Sequence, residues 1–280
     1  MSVAAAGRAL ARGVLPLRIR LGLATWLDTR RWLSPATRFW WVTELLRDYA
    51  ERDPDGYHRF LWSHHLAYAE SYEADRRFGR ENVNAARREL FAELARALTA
   101  AGVQAADVRS VLEVGCSLGY LLRYLETDVY RGATTLDGVD IDARAIAAGQ
   151  AWLAAAGSRV RLHEGDMASL ERVTGARRYD VVLCAGVLMY LREDAAAAVV
   201  AAMLARTSRV LALAGLAHPD ADNAELAASA RRERDGTWIH NLDAMVARAG
   251  GTVMRRRWDG ARTLDGNTVY FVFAVPTKGQ

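Results

Sequence analysis

Residues 111–125 read VLEVGCSLGYLLRYL. A short apolar run ends at Gly115, a tight turn follows, and from Gly119 the apolar residues recur at helical spacing, so the stretch reads as strand, turn and helix. Such a turn brings backbone N–H groups and a helix N-terminus close to a ligand, and its glycines allow the chain a close approach. Alone it is a weak signal. Three further motifs give it weight: GVDID sets Asp140 at the end of a second strand, HEGDM sets Asp166 and Met167 after a third, and YDVVLCAGVLMYL sets Cys184 and Ala185 at the end of a fourth. A carboxylate at a second strand end can accept both hydroxyls of a ribose. Four motifs at four successive strand ends are hard to obtain by chance.

Downstream, strands are predicted at RVLALAG, GTVMRRRW and NTVYFVFAVP, and helices at ARAIAAGQAWLAAAG, EDAAAAVVAAMLAR and IHNLDAMVARAG. This alternation predicts an α/β fold, a doubly wound, mostly parallel sheet with helices on both faces. The last two strands are joined by WDGARTLDGN, too short for a crossover helix, and should be antiparallel neighbours. Upstream, residues 36–107 read as helix throughout, and residues 1–35 are rich in Ala, Arg and Leu and almost free of acids. The expected organisation is a basic segment over 1–35, a helical cap over 36–107 and the α/β domain over 108–280.

Hydrophobic residues make up 51% and charged residues 25% of the 280, with five prolines, which is globular composition. The net charge of +4 is carried by arginine, Lys278 being the only lysine, and its excess is local to the N-terminus, so no phosphate-tracking stripe and no nucleic-acid partner is expected. Cys116 and Cys184 are too few for a disulfide framework and lack metal-ligand spacing, so no metal and a reducing, cytoplasmic setting are expected. The two cysteines should lie on neighbouring strand ends.

The order of the strand-end motifs resembles the class I S-adenosylmethionine-dependent methyltransferases, small-molecule type, over about Val108 to Pro276. The resemblance implies a Rossmann-like sheet of seven strands with the last inserted antiparallel between the fifth and sixth, and S-adenosylmethionine as cofactor. It assigns Glu113, Gly115, Cys116, Ser117 and Gly119 to the loop holding the methionine part of the cofactor. Asp140 corresponds to the ribose-binding acid, Ile141 to the residue against the adenine, and Asp166 and Met167 to the pair beside the adenine amino group. Cys184 and Ala185 fall near the reactive methyl. Ser117 stands where the family often has glycine, and Tyr190 where many small-molecule members carry histidine.

Methyl transfer from a sulfonium is an in-line displacement, so the protein mainly positions and desolvates, and few catalytic groups are obligatory. The candidates are His218 and His240 as base and Tyr190 as an orienting group; a histidine near a strand end also serves as a hydrogen-bonded structural residue. Glu113, flanked by apolar residues, reads as a buried carboxylate kept for a ligand; Asp142 reads as a helix N-cap. A helix predicted over Tyr57 to Phe78 puts Tyr57, Leu61, His64, Tyr68 and Tyr72 on one face, and Tyr68 or Tyr72 is expected to line the cofactor or acceptor cavity. Two rival functions remain at this point: a non-catalytic cofactor-binding or assembly protein, and a serine hydrolase using GCSLG as a nucleophile elbow around Ser117. Residues 1–35 form a frayed tail, pack as an extra helix or lie on an anionic membrane surface, and the helical extension could mediate a homodimer.

Overall fold

A computed structural model describes residues 15–30, 32–66, 83–232, 236–264 and 267–277. The chain divides into two compact units, Met1–Arg76 and Arg77–Gln280, with the division inside the stretch expected to form one helical cap.

In the first unit α1 (Leu17–Asp28), α2 (Pro35–Arg52) and α3 (Pro54–Ser63) form a small helical assembly. Their starts are written in the sequence: Ser34 caps α2 by accepting the Thr37 N–H, Asp53 caps α3 by accepting the Gly56 N–H, and a proline takes the first helical position of each. Ala24, Val42, Leu45, Leu46, Tyr57, Leu61 and Leu66 form the core. Arg20, buried, donates to the Leu45 carbonyl at 2.9 Å and to both carboxylate oxygens of Asp48, pinning α1 to α2. The helix expected to continue to Phe78 ends at Ser63. His65 takes a left-handed φ of 55° and the Leu66 N–H returns to the Leu61 carbonyl at 2.8 Å, which closes the helix end. The proposed stripe is therefore broken: Tyr57 and Leu61 are used by this unit's own core, and His64 is exposed against Phe60. Tyr68 and Tyr72 lie outside the described residues.

The second unit opens with α4 (Ala85–Ala100), capped by Asn84, and continues as β1 (Ser110–Val114), α5 (Tyr120–Tyr124), β2 (Thr135–Asp140), α6 (Ala143–Ala155), β3 (Val160–Glu164), α7 (Leu170–Thr174), β4 (Tyr179–Ala185), α8 (Glu193–Ala205) and β5 (Thr207–Gly215). The short strands β6 (Ala230–Arg231) and β7 (Trp238–Ile239) pair with each other, a feature the sequence reading missed, before α9 (Leu242–Arg248), β8 (Gly251–Leu264) and β9 (Asn267–Pro276). The seven-stranded sheet has the order β3-β2-β1-β4-β5-β9-β8. β1 to β5 are parallel, and the last strand runs antiparallel between β5 and β8, as the resemblance implied. Most of the expected polar link belongs to β8, which pairs as far as Leu264 opposite Asn267.

Alternate residues of the strands enter two cores. Val111, Val181, Leu183, Val210, Ala212 and Phe273 meet Leu90, Phe91, Leu94 and Leu98 of α4 on one face, while Leu112, Val114, Val182, Cys184, Leu211 and Leu213 meet Val199, Val200, Met203 and Met245 of α8 and α9 on the other. Helix α4 is thus part of the layered domain, and ion pairs fasten it to β8: Arg255 to the buried Glu93, and Arg257 to Glu89. The Arg255 guanidinium holds the Glu93 carboxyl below its usual range.

A second buried carboxylate, Glu126, ties the turn after α5 to the entry of β3. It accepts the Ser158 hydroxyl at 2.6 Å and the Arg159 N–H at 2.8 Å and pairs with Arg123 and Arg159, which together draw its pKa down to about 2 against the cost of burial. A lowered folded-state pKa means that its stabilisation is present above the ordinary carboxylate range and is lost as pH falls through about 2. Glu126→Gln should therefore cost about 1–3 kcal/mol near neutral pH, with the difference from wild type in denaturant melts shrinking as the solution is acidified.

Candidate active site

The carboxyl ends of β1 to β4 lie side by side, because Val114 is paired with both Val139 and Cys184, and Asp140 with Glu164. All four strand-end motifs therefore converge on one edge of the sheet. Gly115 has φ 79° and Gly119 φ 77°, values that L side chains rarely adopt. Space is equally restrictive: a Cβ on Gly115 would come within 2.2 Å of Val187, and one on Gly119 within 2.8 Å of Leu162. The first contact ties the loop after β4 to the loop after β1, a partnership that no spacing in the sequence signals. Ser117, in the position often held by glycine in the family, also has a positive φ of 48°.

The loop is held by the neighbouring strand. Val139 accepts the Gly115 N–H at 2.8 Å and the Cys116 N–H at 3.2 Å, and Asp140 Oδ2 accepts the Ser117 N–H at 2.7 Å. Asp140 Oδ1 accepts the Asp142 N–H at 2.9 Å. Each carboxylate oxygen has two lone pairs, so Asp140 braces the loop and retains accepting capacity for hydroxyl groups. Burial raises its pKa, while the backbone donors at Asp142 and Ser117 pull it back. Asp142 caps α6 through the Arg144 and Ala145 N–H groups, as expected from its position. Asp166 accepts the Ala168 N–H at 2.9 Å beyond β3, with Met167 partly buried beside it. Ile141 is half-buried at the sheet edge.

Glu113 is the unusual group. It is buried, its Oε2 has no hydrogen-bond partner among the described residues, and desolvation pushes its pKa up to about 8, with the charge of Asp140 adding to the rise and that of Arg87 opposing it. Arg87, on α4, lies over the Tyr120 ring at 4.8 Å. The sequence reading missed this arginine because its surroundings are assembled from α4, β1 and α5. A buried carboxylate without a donor is costly, and a cationic group from a ligand would satisfy it.

Cys116 and Cys184 are both free and buried at adjacent strand ends, but their sulfurs enter cores on opposite faces of the sheet. Burial raises both thiols, Cys184 to about 12. Ala185 is half-buried at the end of β4. Tyr190 closes a short 3-10 turn after β4.

The two histidines are engaged in holding loops. His240 is buried; its Nε2 faces the Leu188 carbonyl at 3.0 Å and must carry the proton there, leaving Nδ1 to face the Ser229 hydroxyl at 2.7 Å. His218 Nδ1 faces the Asp220 and Ala221 N–H groups at 3.2 Å, so the neutral ring carries its proton on Nε2. Neither imidazole presents a free lone pair in this arrangement. Neither bonds to Ser117, which follows the first strand of the sheet, so the elbow reading of GCSLG finds no His partner among these bonds. The described residues contain no His, Cys, Asp or Glu group arranged to hold a metal.

Residues 111–215 match the family model described as a methyltransferase domain. This segment of the chain is thus similar to methyltransferase domains. No curated protein matches it in sequence. Among solved structures, the magnesium protoporphyrin IX methyltransferase of Synechocystis PCC 6803, with bound S-adenosylhomocysteine, is 18% identical with a TM-score of 0.54 over 80% of this chain and 100% of that one. An amino pentose methyltransferase from Micromonospora echinaspora is 22% identical, TM-score 0.51, over 72% and 96%. The cyclase SpnF is 14% identical, TM-score 0.52, over 61% and 76%. At these identities the likeness establishes the fold, and the cyclase shows that one fold serves more than one reaction. The domain has the seven-stranded architecture that the resemblance implied.

The close fit of Val187 on Gly115 makes the loop sensitive to a single methyl. Gly115→Ala should destabilise the domain by about 1–3 kcal/mol through the positive φ and the clash, read as a lowered midpoint in urea, whereas Gly157→Ala, at a positive φ with open space around it, should cost less.

Proposed function

We propose that the strand-end site binds S-adenosylmethionine and directs its methyl group to a small-molecule acceptor in a biosynthetic pathway. The observation that carries this reading is the buried Glu113 carboxyl, whose Oε2 lacks a hydrogen-bond partner, set beside the left-handed glycines of the β1 loop and the Asp140 carboxylate. An amino acid ammonium fits the first, and ribose hydroxyls fit the last. Arg87, close to Glu113, suits the carboxylate of the same amino acid moiety, while Ile141, Asp166 and Met167 suit an adenine with its exocyclic amine. When bound, the cofactor supplies an electrophilic methyl group on a sulfonium.

The contribution of the chain is then chiefly orientation and exclusion of water. Val187, packed on Gly115, and Cys184 and Ala185 build the apolar end of β4, and Tyr190 lies on the turn that follows. His240 fixes that turn through the Leu188 carbonyl and acts as a positioning residue, and His218 caps the loop after β5. The unpaired thiols of Cys116 and Cys184 agree with a cytoplasmic setting.

Asp140→Ala should weaken binding of S-adenosylhomocysteine by at least about tenfold, since charge-assisted hydrogen bonds of about 1.5–3 kcal/mol are lost; unchanged affinity in a folded variant, measured by calorimetry, would remove the site assignment. Turnover of methyl-labelled cofactor against panels of candidate acceptors tests the transfer itself.

Proton linkage gives a second test. With a pKa raised to about 8, Glu113 is mostly neutral near pH 7 in the free protein, and pairing with an ammonium favours its ionised form. Binding should then release close to one proton per site near pH 7, seen as dependence of the calorimetric heat on the ionisation enthalpy of the buffer. Glu113→Gln should abolish the release.

A further inference from the structure

Exposed large hydrophobic side chains among the described residues concentrate in one place. Ile19, Leu23, Trp26, Trp32, Phe39 and Trp40 all belong to the helical hairpin of α1 and α2, and Met254 is the only other. Helix α1 carries two apolar rows. Leu17, Leu21, Ala24 and Leu27 turn inward onto the hairpin core, whereas Ile19, Leu23 and Trp26, spaced four and three residues apart, form a separate outward row. A helix apolar on two sides is built to be covered on both.

The aromatic members gather toward the turn. Arg20 grips Leu45 and Asp48 at the open end of the hairpin, so Trp26, Phe39 and Trp40 fall toward the connection, where Trp32 is 77% exposed. The sequence of this segment is basic, and the first acid of α2, Glu44, is paired with Arg47. Up to residue 43 the sequence has arginines at 8, 12, 18, 20, 30, 31 and 38 against Asp28 as the sole acid, and of these Arg20 is already neutralised by Asp48. Arg30 lies over the Trp26 ring at 4.1 Å, and Arg18 is exposed beside Ile19.

We propose that this hairpin face docks on an anionic lipid surface. Indole rings settle at the headgroup level of a bilayer, where one edge is apolar and the other wet, and arginines among them meet lipid phosphates. The arginines Arg18 and Arg30 beside the patch favour a negatively charged partner, and the outward row of Ile19, Leu23 and Trp26 requires that this partner also be apolar. A lipid surface meets both demands. Contact is peripheral, with α1 lying along the interface, since no helix among the described residues is long and apolar enough to cross a membrane.

The experiment is flotation of the full chain with vesicles of phosphatidylcholine alone or mixed with phosphatidylglycerol. Binding is expected to the mixed vesicles, little to phosphatidylcholine, and to fall as salt rises. Trp26→Ser with Trp32→Ser should weaken it at least about tenfold, and Arg18→Gln with Arg30→Gln about fivefold per arginine, with the affinity for S-adenosylhomocysteine unchanged in both. The arginine pair keeps the test decisive if the tryptophan pair fails to fold. Absence of binding to mixed vesicles at low salt, or equal binding by wild type and the arginine variant, overturns the proposal. So does a lipid-free dimer that the variants convert to monomer in sedimentation, which would assign the face to a second copy of the chain.

Discussion

The site depends on the grip of one strand end on the loop of its neighbour. The Val139 carbonyl and the Asp140 carboxylate together take three successive N–H groups, from Gly115 to Ser117, and in doing so fix a backbone that departs from ordinary β and α conformations at Gly115, Ser117 and Gly119. Without those acceptors the turn would carry buried, unsatisfied donors. The same carboxylate keeps accepting capacity beyond these bonds, which is what the proposed ribose contact requires.

Around that grip the domain treats its buried glutamates in two ways. Glu93 and Glu126 are buried acids with arginine partners, held below the usual carboxylate range, and they fasten α4 to β8 and the turn after α5 to β3. Glu113 is a buried acid whose Oε2 lacks a hydrogen-bond partner and whose pKa moves the other way. The contrast separates two carboxylates whose burial is compensated by arginine from one whose burial the fold leaves uncompensated, and it is that uncompensated burial on which the proposed binding role of Glu113 rests.

The N-terminal hairpin follows a different rule. Its interior is satisfied by a small aliphatic core and by the Arg20–Asp48 pair, so the apolar residues that remain outside are surplus to folding. Concentration of such residues in one hairpin, rather than scattering, is what distinguishes the proposed interaction surface from ordinary exposure of single hydrophobic side chains.

The sequence by itself determined the alternation of strands and helices, the parallel core with an antiparallel final pair, and the convergence of Gly115, Asp140, Asp166 and Ala185 on one sheet edge. These follow from local periodicity, turn chemistry and chain connectivity, each legible within a few residues. Tertiary structure alone decided the rest. The helix predicted past Ser63 stops there because His65 adopts a left-handed conformation that closes it, and apolar spacing carries no mark of that. Both histidines singled out by position hold backbone groups in loops near them, and only their hydrogen-bond partners reveal it. Val187 on Gly115 and Arg87 beside Glu113 join residues far apart in the chain, and such meetings depend on how layers pack, a property that no local window of sequence contains.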